Sequence, residues 1–212
     1  FQQASHYARL GSGSACRSIF KHVALWGSLD SVSGSSDQFA IEIKKFHKIF
    51  SSFHDSVLIV SSEEKSVSSS DGHTLMDKHP YRDERYKNAR LNCSKLLGLM
   101  EKDQLWDWGE LVEREALELH GLMMNGVNSF ILMKPNTLRI IDRVRQFRLK
   151  RKIPVFFTLD AGPNVHLLYP NEFKNDVVEF IKGDLLQYLE NSVWYDDRVG
   201  AGPHFLGEGQ QC

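Results

Sequence analysis

The sequence predicts a fold that mixes helices with β-sheet. Three observations predict it. Short apolar or alternating runs, bounded by turn residues, stand at 22–26, 39–43, 56–61, 155–159 and 165–168. Between Tyr86 and Phe147, apolar residues instead recur at helical spacing. Glycine- and serine-rich stretches separate the two kinds of pattern.

Composition narrows the function classes. The chain has 212 residues, enough for one large domain or two small ones. A hydrophobic content of 42% and a charged content of 25% are ordinary for a soluble globular protein. The net charge of −1 favours neither nucleic acid nor an anionic membrane. No apolar run approaches the ~20 residues that span a bilayer, and no signal peptide is visible. Cys16, Cys93 and Cys212 are few, odd in number and far apart, which suggests reduced thiols in a cytoplasm. The first residue is Phe1 rather than methionine, as expected of a piece of something longer.

In chain order, residues 2–9 read as a helix that enters Gly11-Ser12-Gly13-Ser14-Ala15-Cys16-Arg17-Ser18. Two glycines permit close backbone approach to a ligand. Residues 15–20 read as a helix start, whose free N–H groups suit an anion. Arg17, one turn in, adds a forked cation fit for phosphate or carboxylate. The same loop reads equally well as a plain helix cap. Residues 22–26 and 39–43 are strand candidates on either side of a Ser/Gly-rich loop. The continuous apolar run 56–61 suits a strand covered on both faces.

That strand feeds a serine-rich turn, 61–73, with a helix expected from Thr74. Its hydroxyls can hold phosphate oxygens, but serines in such turns are more often caps. Helices follow. Tyr86, Ala89, Cys93, Leu96, Leu97 and Met100 share a face, so Cys93 reads as core packing rather than a nucleophile. Leu111, Val112, Ala116, Leu119, Leu122 and Met123 form a second set, with His120 inside it. No second histidine or cysteine stands at metal spacing, so His120 reads as structural. Pro135-Asn136-Thr137 is a helix entry, and Ile140, Ile141, Val144 and Phe147 form the buried stripe that follows. The basic face of that helix, with Arg139, Arg143, Arg145, Arg148, Lys150, Arg151 and Lys152, reads as solvated rather than as a nucleic-acid footprint.

The strong strand 155–159 runs into Asp160-Ala161-Gly162-Pro163-Asn164 before a strand resumes at Val165. A carboxylate at a strand end, beside small residues, is a position that mixed α/β enzymes use for chemistry. The alternative is an Asx turn, with Asp160 bonded to its own backbone. Residues 171–189 read as one or two helices interrupted near Gly183, and the tail from Trp194 is rich in glycine and charge.

Residues 8–18 (Ala-Arg-Leu-Gly-Ser-Gly-Ser-Ala-Cys-Arg-Ser) and 159–164 (Leu-Asp-Ala-Gly-Pro-Asn) together resemble diphosphomevalonate decarboxylase, a family of the GHMP kinase superfamily. The run Met133-Lys134-Pro135-Asn136-Thr137 is similar to bacterial members. The resemblance covers essentially the whole chain, but only about the C-terminal two-thirds of the family's length. It implies an α+β fold: residues 1–53 as the end of an S5-like N-terminal domain, then 54–212 as a C-terminal antiparallel sheet backed by helices. It implies ATP- and Mg²⁺-dependent decarboxylation of mevalonate 5-diphosphate to isopentenyl diphosphate in isoprenoid biosynthesis, by a cytoplasmic enzyme that forms a homodimer.

Residue by residue, the resemblance puts Ser12, Gly13, Ser14, Ala15, Cys16 and Arg17 on the substrate. Arg17 faces the substrate carboxylate and Asp160 lies beside the C3 hydroxyl. Ser69 and Ser70 are the best matches for polar contacts near the phosphates. No residue is assigned to a metal. Three departures stand out. The family's ATP loop would fall before residue 1, Lys21-His22 stand where two glycines are common, and Ser70 stands where many bacterial members carry arginine. Two further readings follow: a non-catalytic module that keeps a diphosphate pocket, and a sibling enzyme acting on mevalonate monophosphate.

Overall fold

The computed structural model describes residues 1–63, 79–126 and 129–203. They divide into two compact units, residues 1–51 with 199–203, and residues 52–198. No helix among the described residues is long and apolar enough to cross a membrane.

The first unit begins with helix α1 (Gln2–Gly11). A 3-10 turn, Gly13–Ile19, comes next, where the sequence predicts the start of an α-helix. The difference has a local cause. The Cys16 thiol donates to the Gly13 carbonyl at 3.0 Å, and the Ser5 hydroxyl donates to the Cys16 carbonyl at 2.8 Å. An α-helix would offer those two carbonyls to the N–H groups four residues on. Here the Phe20 N–H instead bonds the Arg17 carbonyl, the i→i+3 pattern. Strands β1 (Ala24–Trp26) and β2 (Ala40–Glu42) form an antiparallel ribbon with Leu25 opposite Ile41. Ser5 is fully buried, and its hydroxyl also accepts the Ala40 N–H at 2.9 Å, which ties helix, turn and ribbon together.

The second unit is a four-stranded antiparallel sheet with helices. Strands β3 (Phe53–Leu58), β4 (Phe156–Leu159), β5 (Val165–Pro170) and β6 (Trp194–Arg198) stand in the order β4-β5-β3-β6. Strand β3 starts earlier than 56 and stops at Leu58, because beyond Ile59 the N–H groups of Val60 and Ser61 turn to the Asn164 side chain. Strand β6 is absent from the sequence reading. It is an exposed edge strand carrying Asp196, Asp197 and Arg198, so it lacks apolar alternation.

Helices α2 (Arg82–Glu101), α3 (Leu105–Asn125) and α4 (Pro135–Arg151) occupy the predicted helical stretch. The run 171–189 contains α5 (Lys174–Phe180), a π-turn through Gly183 and a short 3-10 turn. The sheet buries Leu58, Phe157, Val165 and Leu167 against Ile140, Ile141 and Val144 of α4 and Val177, Ile181 and Leu185 beyond it. This apolar burial is the main source of the unit's stability.

Helix α3 lies unusually close to β4. A Cβ on Gly109 would fall 2.2 Å from the Phe156 ring, so only glycine fits there. Trp106 and Trp108 meet that ring edge-on. Arg148 of α4, expected on a solvated face, is instead buried, because both oxygens of the buried Glu113 of α3 take its guanidinium. Glu113 also accepts the Phe157 N–H at 3.2 Å, while Arg148 donates to the Val155 carbonyl at 2.9 Å. One buried ion pair therefore joins α3, α4 and the strand that leads to Asp160.

Candidate active site

The Asp160–Asn164 segment is the short loop between β4 and β5, whose last pair is Leu159 opposite Val165. Asp160 is exposed. Its carboxylate bonds no described residue of its unit, and the Asx-turn reading fails, because the Gly162 N–H goes to the Asp160 carbonyl at 2.7 Å. The same carbonyl accepts a hydrogen bond from His120 Nε2 of α3 at 3.0 Å. At the other end of the loop, the Thr137 hydroxyl donates to the Pro163 carbonyl at 2.6 Å. Asn164 Oδ1 accepts the N–H groups of Val60 and Ser61 at 2.9 and 3.1 Å. Backbone groups at 160 and 163, and the side chain at 164, are thus tied to three different parts of the unit.

The surroundings add charge. His166, second in β5, places Nδ1 3.0 Å from both oxygens of Asp55. That hydrogen bond raises the His166 pKa above its ordinary value against the opposing effect of burial, and the charges of Asp55 and Asp160 add to the rise. Lys134, just ahead of α4, donates from Nζ to the Ser61 hydroxyl at 2.8 Å and to Glu63 at 2.5 Å. This holds the Glu63 carboxyl below its usual range.

His120 is buried, and burial lowers its pKa. Burial pushes the Cys93 thiol up, which agrees with packing rather than nucleophilic chemistry. Sequence reasoning missed the roles of Thr137, Asn164 and Lys134. Each had a visible signal in Met133-Lys134-Pro135-Asn136-Thr137 or Asp160-Ala161-Gly162-Pro163-Asn164, but not its partner.

In the first unit, Ser12, Ser14 and Arg17 are exposed and Ala15 is half-buried. No described residue of that unit pairs with the Arg17 guanidinium. Cys16 faces the interior, with no exposed surface and its thiol bonded to Gly13. Gly13 makes room for a neighbour: a Cβ there would meet Trp26 Cη2 at 2.9 Å. The side chains this segment presents outward are therefore Ser12, Ser14 and Arg17. Ser69 and Ser70 lie outside the described residues, as do the rest of the 65–72 turn, the helix expected from Thr74, and Cys212. Among the described residues, no group of three or more His, Cys, Asp or Glu could hold a metal ion.

A groove of about 520 Å³ lies between α3 and α4 and includes Glu113, Arg145 and Arg148. Those three charged groups are taken up by one another and by backbone, so it reads as structural.

Comparison with known proteins agrees with the residues. Diphosphomevalonate decarboxylase of Candida albicans is 24% identical over 191 residues, covering 84% of this chain and 49% of its own. Phosphomevalonate decarboxylase of Haloferax volcanii is 22% identical over 216 residues, covering 98% of this chain and 60% of its own. The solved structure of MDDEF in complex with MVAPP, AMPPCP and magnesium matches with a TM-score of 0.80 and 28% identity, covering 95% of this chain and 59% of its own. The chain spans about half the length of the curated relatives it matches. The family model for the mevalonate 5-diphosphate decarboxylase C-terminal domain matches residues 56–199, from β3 through the Asp160 loop to the end of β6. That match takes in well over half of the residues, and the chain belongs to this family.

Proposed function

We propose that this chain forms part of an enzyme that decarboxylates mevalonate 5-diphosphate, with ATP and Mg²⁺, to give isopentenyl diphosphate, carbon dioxide, phosphate and ADP. The observation that carries the reading is the Asp160 loop: a fixed backbone that presents an unpaired carboxylate. In this reading Asp160 orients the C3 hydroxyl and takes its proton as that oxygen receives a phosphoryl group. The C3–O bond then breaks and phosphate leaves. The C1–C2 bond breaks to release carbon dioxide, and its electron pair closes the C2=C3 double bond. Once its proton has passed to the departing phosphate, the same carboxylate is ionised again and stabilises the positive charge developing at C3.

Arg17, with Ser12 and Ser14, holds the anionic ends of the substrate and keeps the reacting atoms in register. Ser69 and Ser70 contact the phosphates. Magnesium would screen the phosphate charge, and among the described residues no group of three or more His, Cys, Asp or Glu is placed to hold it. Residues 1–53 serve as the end of an N-terminal domain and 54–212 as the C-terminal domain. The whole enzyme is a cytoplasmic homodimer.

The test uses the full-length protein with Asp160→Asn, which keeps shape and removes charge. ADP release should fall by at least ~10²-fold, with substrate affinity by calorimetry nearly unchanged. Turnover like wild type would overturn the assignment. The second reading, a mevalonate monophosphate substrate, is favoured by the Haloferax volcanii relative that spans nearly the whole chain. Comparing kcat/KM for the monophosphate and the diphosphate decides between the two. The 212 residues alone should release no ADP. Substrate-dependent release would place the nucleotide site within them.

A further inference from the structure

We infer that His120 is a positioning residue for Asp160, setting the direction of its carboxylate by holding its backbone carbonyl; this rests on the reading of Asp160 given above. A carbonyl can only accept, so the 3.0 Å contact makes His120 Nε2 the donor. The ring is 1% exposed. It sits on α3, which Gly109 seats against β4 and Glu113 bonds to β4 and α4. The donor therefore belongs to a body that does not move with the loop. The other bond to that carbonyl, from the Gly162 N–H, lies within the loop and travels with it. Among the described residues, the His120 bond is the side-chain hydrogen bond that ties residue 160 to a helix.

The chemistry of the side chain suits the task. Imidazole is planar with few rotamers, so it fixes its partner more tightly than a flexible amide or ammonium would. Burial keeps it neutral near pH 7, in the tautomer with the proton on Nε2. The bond takes the backbone carbonyl and leaves the carboxylate free. Fixing the residue through its backbone spends none of the group needed for chemistry. A loss of this bond lets the 160–161 peptide rotate and displaces the carboxylate, and an ångström of displacement at a reacting group is worth about 10²-fold in rate.

The experiment uses the full-length protein and four variants: His120→Phe, His120→Gln, Asp160→Asn and His120→Phe with Asp160→Asn. His120→Phe keeps the volume and removes the donor. Its kcat should fall by at least ~10-fold, with KM for the diphosphate substrate changed less than ~2-fold. His120→Gln, which restores an N–H donor on a more flexible side chain, should recover part of that loss. In the Asp160→Asn background, His120→Phe should lower the residual rate no further, whereas a merely structural role would lower it again.

If Asp160→Asn turns over like wild type, the reading of Asp160 fails and this inference falls with it. If Asp160→Asn is impaired while His120→Phe turns over like wild type, this inference alone is overturned. Should His120→Phe not fold, nitrogen NMR of the wild-type ring decides. A neutral Nε2–H tautomer persisting below pH 6.5 supports the inference, and a neutral Nδ1–H tautomer overturns it.

Discussion

Replacing Arg148 with methionine tests the idea that one buried ion pair holds the site's supporting elements together. The substitution removes both guanidinium bonds to Glu113 and the donor to the Val155 carbonyl. Glu113 keeps the Phe157 N–H, with Arg145 Nε at 3.7 Å. Breaking a buried pair from one side typically costs about 3–5 kcal/mol, because a charge is left unpaired. The remaining N–H and the nearby Arg145 put the expected loss at the lower end, about 3 kcal/mol. With a urea slope of about 1–3 kcal/mol/M, the midpoint should fall by about 1 M or more. Trp106 and Trp108, which face Phe156, report the transition by fluorescence. A second variant, Glu113→Leu with Arg148→Met, removes the stranded charge and should regain most of the loss. A midpoint for Arg148→Met within ~0.2 M of wild type, well below the shift expected from that slope, would refute the reasoning.

Two further outcomes follow. Gly109→Ala places a methyl 2.2 Å from the Phe156 ring, so the helix must shift, and the melting point should fall by the equivalent of about 1–3 kcal/mol; an unchanged melt would show that α3 yields freely. His166 has a raised folded-state pKa, through its bond to Asp55. Its stabilisation is therefore fully present below the unfolded value of about 6.5 and is lost as pH rises through the folded value. The stability difference between wild type and His166→Asn, measured by urea titration, should grow as pH falls from 9 toward 6; a difference independent of pH would remove Asp55 as the cause.

Local pattern carried the sequence reading a long way. Residues 156–159 and 165–170 are β-prone and apolar, and the helices α2 to α4 keep a helical period, so each announces itself within its own length. Strand β6 does not, because an edge strand needs only a neighbour's hydrogen bonds, and its charges guard against pairing with other chains. The 3-10 turn at Gly13–Ile19 was illegible for another reason: the hydroxyl that takes the Cys16 carbonyl belongs to Ser5, eleven residues earlier. The same holds for the candidate site. The Asp160 motif stands out in the sequence, but its supports come from His120, Thr137 and the Val60–Ser61 backbone, which are distant in sequence and meet only after the sheet and helices have packed.

Charge pairing then separates Asp160 from three other carboxylates around the sheet. Glu113 is taken up by Arg148 and the Phe157 N–H. Asp55 is taken up by His166, and Asp196 by His54 and Lys174. Asp160 alone of these four has no side-chain partner among the described residues of its unit, yet the loop that carries it is held at three points. Many surface carboxylates are unpaired, but those on mobile side chains over free backbone lose freedom when they engage a ligand. Here the backbone part of that entropy is lost on folding, before any substrate arrives. An ionisable group that is free to bond and already fixed in place is what preorganised catalysis requires, and in this unit that description fits Asp160 better than the other three.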